Sequence, residues 1–134
     1  MDIDFDLPPV AFANESTTIH ADVNSACFIQ HTRALAAHIH ATAIEKGWWQ
    51  EDRNDGELIA LMHSELSEAL EALRAGNPPS EKIPEYSHVE EEYADAVIRI
   101  LDASAARGYD VAGAIVAKVR YNEGRAYKHG NKKF

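Results

Sequence analysis

Glycine and proline divide this chain into segments that have helical rather than strand periodicity. Two stretches interrupt the pattern, GWWQEDRND from residue 47 and GNPPSEKIPEYS from residue 76, and the second contains two successive prolines that cannot continue a helix. Elsewhere apolar residues recur near helical spacing, and no segment alternates apolar and polar residues as a half-buried strand would. The sequence therefore predicts an all-α fold, a four-helix, bundle-like domain.

Capping residues locate the helix ends. The predicted spans are 24–46, 55–76, 87–108 and 110 to at least 121. The N-terminal signals are Asp55, the Ser87 and Glu90 pair spaced as a capping box, and Asp110. The C-terminal signals are Gly47, Gly76 and Gly108. Residues 23–134 form one domain, and residues 1–22, which show no sustained period, form an N-terminal arm.

Charge and composition exclude several classes of partner. The chain carries 22 acidic against 13 basic residues, a net charge of −9, so no nucleic acid polymer is expected as a partner. No apolar stretch approaches the length of a membrane span, so no membrane partner is expected either. The single cysteine, Cys27, excludes an internal disulfide and fits a cytoplasmic location.

Two glutamates of the second helix occupy unusual positions. On a helical wheel Glu65 lies inside the apolar arc and Glu68 borders it, whereas His63 and Glu71 lie well outside. The arc is formed by Leu58, Leu61, Met62, Leu66, Ala69, Ala72 and Leu73. A buried, unpaired carboxylate is costly, so Glu65 requires a proton, a cation or a metal ion.

The third helix carries a second acidic pair, Glu92 and Asp95, on a polar stripe with Arg99 and Asp102. Taken alone, this stripe is typical of a solvated face with an Asp95–Arg99 ion pair. The opposite, apolar arc consists of Tyr93, Val97, Ile98 and Leu101. Taken with the second helix, the stripe predicts a different arrangement, since two such pairs converge when consecutive helices pack antiparallel.

Four facing carboxylates cannot all be ionised without a cation. Ligation by oxygen alone favours Mg²⁺, with Mn²⁺ as the second choice. A di-iron centre would require Glu-x-x-His on two helices, and only Glu85-x-x-His88, at a loop boundary, has that spacing. The other histidines are interpreted as ordinary structural or surface residues, with His129 as the first candidate for an exception: His20, His31, His38, His63, His88 and His129.

The fourth helix offers a cationic complement. Lys118, Asn122 and Arg125 follow i, i+4, i+7 spacing on an otherwise apolar face. One interpretation is snorkelling, in which the long stems are buried and the charged heads reach water. The interpretation preferred here is an anion site, because aligned cations of this kind hold phosphate.

These motifs together resemble a known family. ELSEAL, then EEEYADAVIRILD, then KVRYNEGRAYKHGNKKF are similar to MazG-like proteins of the all-α nucleoside triphosphate pyrophosphohydrolase group, which includes dimeric dUTPases and phosphoribosyl-ATP pyrophosphatase. The resemblance covers residues 24–134. It implies Mg²⁺-dependent hydrolysis of a ribo- or deoxynucleoside triphosphate to monophosphate and pyrophosphate, for housecleaning or control of nucleotide pools.

The resemblance also implies roles for particular residues. The metal ligands would be Glu65, Glu68, Glu92 and Asp95. Phosphates and sugar would be bound by Lys118, Asn122, Arg125 and Lys132. The base would contact His40 and Trp49, although Trp48 is an alternative inward-facing residue. From the charge of the site, apart from the resemblance, we expect Glu65 or Glu68 to accept a proton from the attacking water. We also expect the C-terminal HGNKKF to close over the bound phosphate.

The expected assembly is a homodimer or a dimer of dimers. The alternative to a hydrolase is a non-catalytic helical dimer that binds nucleotides or acts as an adaptor, since the same ligands serve a binder and an enzyme.

Overall fold

The computed structural model describes residues 23–126, and over that range the chain is predominantly helical. The helices are α1 (Val23–Glu45), α2 (Asp55–Arg74), α3 (His88–Arg107) and α4 (Val111–Glu123). The predicted all-α, four-helix class is therefore confirmed, and each predicted span agrees to within two residues where a bound was given. The predicted N-terminal arm lies outside the described residues.

The predicted capping box begins α3. The Ser87 hydroxyl accepts a hydrogen bond from the Glu90 amide at 3.3 Å, and Oε2 of Glu90 accepts one from the Ser87 amide at 2.7 Å. Gly108 ends the helix in the left-handed conformation, with φ of 70°, which glycine adopts without a Cβ penalty. Asp110 caps α4 by accepting a hydrogen bond from the Gly113 amide at 3.1 Å.

The predicted N-cap of α2 is wrong by one residue. Oδ1 of Asn54 accepts hydrogen bonds from the amides of Gly56 and Glu57, at 2.8 and 3.3 Å. Asn54 therefore satisfies the first free donors of the helix. Asp55 instead accepts a hydrogen bond from Nε of Arg107, at 2.7 Å, because its side chain faces the end of α3.

α2 and α3 form the main helix pair and run antiparallel. Arg107 at the end of α3 contacts Asp55 at the start of α2. At the opposite end, Oδ1 of Asn77 accepts a hydrogen bond from the Val89 amide at 3.0 Å. The buried residues between the helices include the small side chains Ala69, Ala72 and Ala96. Small side chains let helix axes approach closely, which brings polar groups of the two helices within reach of each other.

The remaining helices extend this pair as neighbours. α1 packs against α3, and α4 packs against α1. Arg33 of α1 joins α4 through Nη2, which donates to Oδ2 of Asp110 at 2.6 Å. This arrangement leaves large apolar side chains more than half exposed on the described surface, among them Ile59, Leu73, Tyr93, Val97 and Tyr121.

None of the helices within residues 23–126 combines the length and the apolar character needed to cross a bilayer.

Candidate metal centre

α2 places Glu65 in the helix interface and Glu68 at its edge. Glu65 is 5% exposed and lies among buried neighbours on the same face, Leu58, Ala69 and Ala72. Glu68, three residues later, is exposed. The wheel therefore predicted the orientation of both side chains correctly.

α3 turns its acidic side inward, so the interpretation of that side as a solvated face is wrong. Glu92 is 1% exposed, and Glu91 is also buried. Most of the predicted apolar arc is exposed instead, namely Tyr93, Val97 and Ile98, while Leu101 is buried. The reason is the close contact with α2, which covers the side of α3 that carries Glu92 and Ala96.

Three carboxylates of α2 and α3 converge. Glu65, Glu68 and Glu92 each offer an oxygen, and these atoms lie within 4.8 Å of one another. We call this group the acidic cluster. Asp95, the fourth predicted ligand, stands outside it, because its shorter side chain is one turn further along α3 and lines a neighbouring cleft.

Glu92 is the most constrained member of the acidic cluster. Its Oε1 lies 2.9 Å from Nε2 of His88, one turn earlier on α3. Its Oε2 is buried and has no hydrogen-bond partner among residues 23–126. Burial raises the pKa of Glu92, and the negative charge of Glu68 raises that pKa further. The acidic cluster thus contains a buried carboxylate oxygen that lacks a hydrogen-bond donor among the described residues.

Glu91 also lies near His88, and its negative charge is offset by residues of the loop between α2 and α3. Its Oε2 accepts a hydrogen bond from the Ser80 hydroxyl at 2.6 Å, and its Oε1 lies 2.5 Å from Nζ of Lys82. The lysine and the hydroxyl lower the pKa of Glu91. His88, Glu91 and Glu92 also offer ligand atoms within 4.8 Å of one another. The histidine interpreted from sequence as ordinary therefore borders the acidic cluster.

Arg99 of α3 carries the positive charge nearest to Glu65. Its Nε donates a hydrogen bond to Oε1 of Glu65, across the interface between α2 and α3. The predicted pair of Arg99 with Asp95 is therefore replaced by a pair between helices. Burial raises the pKa of Asp95, and the charge of Glu65 raises it further.

A cleft of about 460 Å³ opens between α1 and α3 beside the acidic cluster. Its lining includes Ile39, Trp48, Asp95, Ile98 and Arg99. A volume of this size lies within the usual range for small-molecule sites. Asp95 and Arg99 form the wall of the cleft that lies nearest to Glu65.

The predicted base-binding residues, His40 and Trp49, meet at Asp102, which lines this cleft, but neither of the two rings lines it. Nδ1 of His40 lies 2.7 Å from Oδ1 of Asp102, and Nε1 of Trp49 donates to both oxygens of Asp102 at 3.0 Å. The two rings contact edge to face, with centroids 5.1 Å apart. Trp49 is the inward tryptophan, and Trp48 is 62% exposed. Asp102 therefore contacts both rings through its carboxylate and fixes their orientations.

Lys118 and Asn122 lie on α4 and Arg125 follows the end of that helix, and none of the three joins the acidic cluster within this chain. Nζ of Lys118 and Cζ of Arg125 lie over the ring of Tyr121, 4.5 and 5.7 Å from its centroid, and Asn122 is exposed beside them. α4 packs against α1, whereas the acidic cluster lies between α2 and α3. Lys132, the last predicted phosphate ligand, lies outside the described residues.

Sequence reasoning missed three features of the site. It did not predict the Arg99–Glu65 pair, the approach of His88 to Glu92, or the loop residues Ser80 and Lys82 beside Glu91. Only the second had a sequence signal, since His88 and Glu92 are four residues apart on one helix. The other two depend on how α2 and the loop that follows it fold against α3.

Comparisons with models of protein families, with curated proteins and with solved structures found no match for this chain.

Proposed function

We propose that this chain is a Mg²⁺-dependent hydrolase that converts a ribo- or deoxynucleoside triphosphate to the monophosphate and pyrophosphate, as MazG-like proteins do. One observation carries the proposal: Oε2 of Glu92 is buried, has no partner within residues 23–126, and lies beside Glu65 and Glu68. A buried carboxylate in that position requires a proton or a cation. The reaction and the nucleotide come from the sequence resemblance.

The donor set fits a hard cation. The acidic cluster offers carboxylate oxygens only, the ligands that Mg²⁺ and Mn²⁺ prefer. In this proposal Glu65, Glu68 and Glu92 hold the ion, and Asp95 faces the substrate from the cleft. When bound, the ion supplies Lewis-acid polarisation of the phosphate chain and offsets its negative charge.

Glu68 is the better candidate for the proton acceptor. It is exposed at the edge of the interface, so water reaches its carboxylate. Glu65 is buried and already accepts a hydrogen bond from Arg99, which favours its ionised form but restricts its movement. A general base must lie within reach of the attacking water, a condition that the exposed Glu68 meets more readily.

The nucleoside would occupy the cleft between α1 and α3. The apolar part of the lining, including Ile39 and Ile98, suits the flat faces of a base. Asp102, which lines the cleft, holds Trp49 and His40 in fixed orientations, although neither ring lines the cleft itself. The aromatic ring that lines the cleft is that of Trp48, so it is the side chain placed to contact the base.

A homodimer, or a dimer of dimers, accompanies this proposal. The described surface of α2 and α3 exposes Leu66, Leu73, Tyr93 and Val97 by half or more. Apolar exposure of this extent is typical of an interaction surface. A role for Lys118, Asn122 and Arg125 in binding phosphate then requires α4 of a second copy to approach the acidic cluster. We place this assembly in the cytoplasm, in keeping with the single cysteine.

The same exposed surface favours a second candidate, a non-catalytic dimer that binds nucleotides or acts as an adaptor. Turnover separates the two candidates. The wild-type protein is incubated with Mg²⁺ and a panel of ribo- and deoxynucleoside triphosphates, and monophosphate and pyrophosphate are quantified. Glu68→Gln should lower the rate at least about a hundredfold while the helical circular dichroism spectrum is unchanged.

Glu71→Gln is the matched control, because Glu71 is an exposed acid one turn further along α2 that pairs only with Arg74 among the described residues. It should retain full activity. Binding of Mg²⁺ and nucleotide without any product would reject the hydrolase and favour the adaptor.

A further inference from the structure

Arg99 connects the acidic cluster to the cleft. Its Nε donates to Glu65, while the residue also lines the cleft between α1 and α3. The side chain of Glu65 is 6% exposed, whereas that of Arg99 is 35% exposed. The arginine therefore has one end in the helix interface and room to move at the other.

Only one part of the guanidinium is used by the pair with Glu65. Within residues 23–126, neither terminal amino group of Arg99 forms a hydrogen bond. A guanidinium carries five N–H donors in a planar fork, and this fork matches the oxygens of a phosphate. The unused donors of Arg99 are therefore suited to an anion in the cleft.

The charge of the acidic cluster explains why Arg99 lies where it does. Three carboxylates within 4.8 Å of one another repel strongly, and the guanidinium offsets part of that repulsion when no metal ion is present. A divalent cation on the same carboxylates would supply that charge instead. Two cations at one carboxylate repel each other, so metal binding weakens the hold of Glu65 on Arg99.

We propose that Arg99 binds the phosphate chain of the substrate, and that metal binding makes it available by replacing it as the counter-ion of Glu65. This inference rests on the proposed function for the identity of the anion. It assigns a phosphate-binding residue that lies beside the acidic cluster of its own chain, a position that Lys118 and Arg125 of that chain do not reach. It also makes the metal ion and the anion bind cooperatively through one side chain.

Two binding measurements test this inference without turnover. The affinity for Mn²⁺ is measured by calorimetry, and the affinity for inorganic triphosphate is then measured at saturating Mn²⁺. Arg99→Gln should bind Mn²⁺ about tenfold more tightly than wild type, because a competing cation has been removed. The same variant should bind triphosphate at least about tenfold more weakly, because it loses charge-assisted hydrogen bonds.

Arg99→Lys keeps the charge but loses the fork. It should bind Mn²⁺ as wild type does and bind triphosphate with an affinity between those of wild type and Arg99→Gln. Arg74→Gln is the matched control, since Arg74 is an exposed arginine of α2 that pairs with Glu71 and does not line the cleft. Neither affinity should change more than about twofold in this control.

The inference is overturned if Arg99→Gln binds Mn²⁺ no more tightly than wild type, or binds triphosphate equally well. A loss of stability with both affinities unchanged would mean that the pair only joins α2 to α3. A wild-type protein that binds no Mn²⁺ overturns the inference together with the proposed function. A wild-type protein that shows the expected affinities but releases no product would reject the hydrolase alone.

Discussion

Nε2 of His88 lies 2.9 Å from Oε1 of Glu92, one turn apart on α3, while the second oxygen of Glu92 is buried without a partner among residues 23–126. One oxygen of this carboxylate is thus paired within its own helix, and Glu92 also offers an oxygen within 4.8 Å of oxygens of Glu65 and Glu68. The interface between α2 and α3 therefore contains negative charge that the described residues do not fully compensate.

Glu92→Gln removes this uncompensated negative charge. In the absence of metal ions we expect the variant to be more stable than wild type, by about 1 kcal/mol, because a buried charge is replaced by an amide that can donate to Glu65. Urea unfolding with a chelator measures the difference. Glu71→Gln, an exposed acid of α2, should leave the midpoint unchanged, and a less stable Glu92→Gln variant would contradict the account of Glu92.

Ser80→Ala should be strongly destabilising although it removes only one oxygen atom. The Ser80 hydroxyl donates to Glu91 at 2.6 Å and accepts from the amides of Lys82 and Ile83 at 3.1 and 3.0 Å. Its loss leaves polar groups unpaired in a buried position, which we expect to cost about 2 kcal/mol. Thermal unfolding checks this value against Ser67→Ala, an exposed hydroxyl on α2 whose loss should cost less than about 0.5 kcal/mol.

Asp102→Asn should loosen the end of the cleft, since the carboxylate holds both Trp49 and His40. We expect the free energy of unfolding to fall by about 1.5–3 kcal/mol, the usual range for hydrogen bonds to a charged group. The background variant Trp48→Phe leaves Trp49 as the chain's only tryptophan and so makes its fluorescence specific. A red shift on adding Asp102→Asn would show that water reaches Trp49, and an unshifted spectrum would count against the anchoring role of Asp102.

The stability that the contact between α1 and α4 contributes should depend on pH. The guanidinium of Arg33 lowers the pKa of Asp110 below its usual range, and the hydrogen bond from the Gly113 amide lowers it further. The unfolded chain therefore binds the proton more readily, and this stabilisation is present above about pH 4 and lost as the pH falls below it. Asp110→Asn keeps an N-cap but cannot titrate.

Urea unfolding of wild type and Asp110→Asn at pH 6 and pH 3 tests that dependence. Wild type should be the more stable protein at pH 6, and the difference should shrink at pH 3. A difference of equal size at both values would show that the Arg33–Asp110 pair does not contribute through its charge.

Local signals in the sequence were sufficient for the helices of this fold. Capping at Ser87 and the left-handed stop at Gly108 depend on residues close in the chain, so their chemistry was readable in advance. The burial of Glu65 was also predictable, because its position on the wheel lies among residues that must be covered.

The contacts between helices were not readable in the same way. Arg99 pairs with Glu65 on α2 and not with Asp95 on its own helix. Which pair forms depends on the rotation of α3 about its axis relative to α2. The same rotation exposes Tyr93 and Val97, which lie on the apolar arc of the helical wheel. Nothing in the sequence of α3 alone distinguishes these two rotations, since both faces offer a plausible contact.

The most direct test of the account is the binding of Mn²⁺ to wild type and to Glu92→Gln, followed by calorimetry at neutral pH. Glu71→Gln serves as the control for a general loss of negative charge on the surface. If the acidic cluster is a metal centre, wild type and Glu71→Gln should bind the ion with equal affinity. Glu92→Gln should bind it at least about tenfold more weakly, because a charged ligand is lost. Equal affinity in all three proteins would contradict the claim that the acidic cluster is a metal centre.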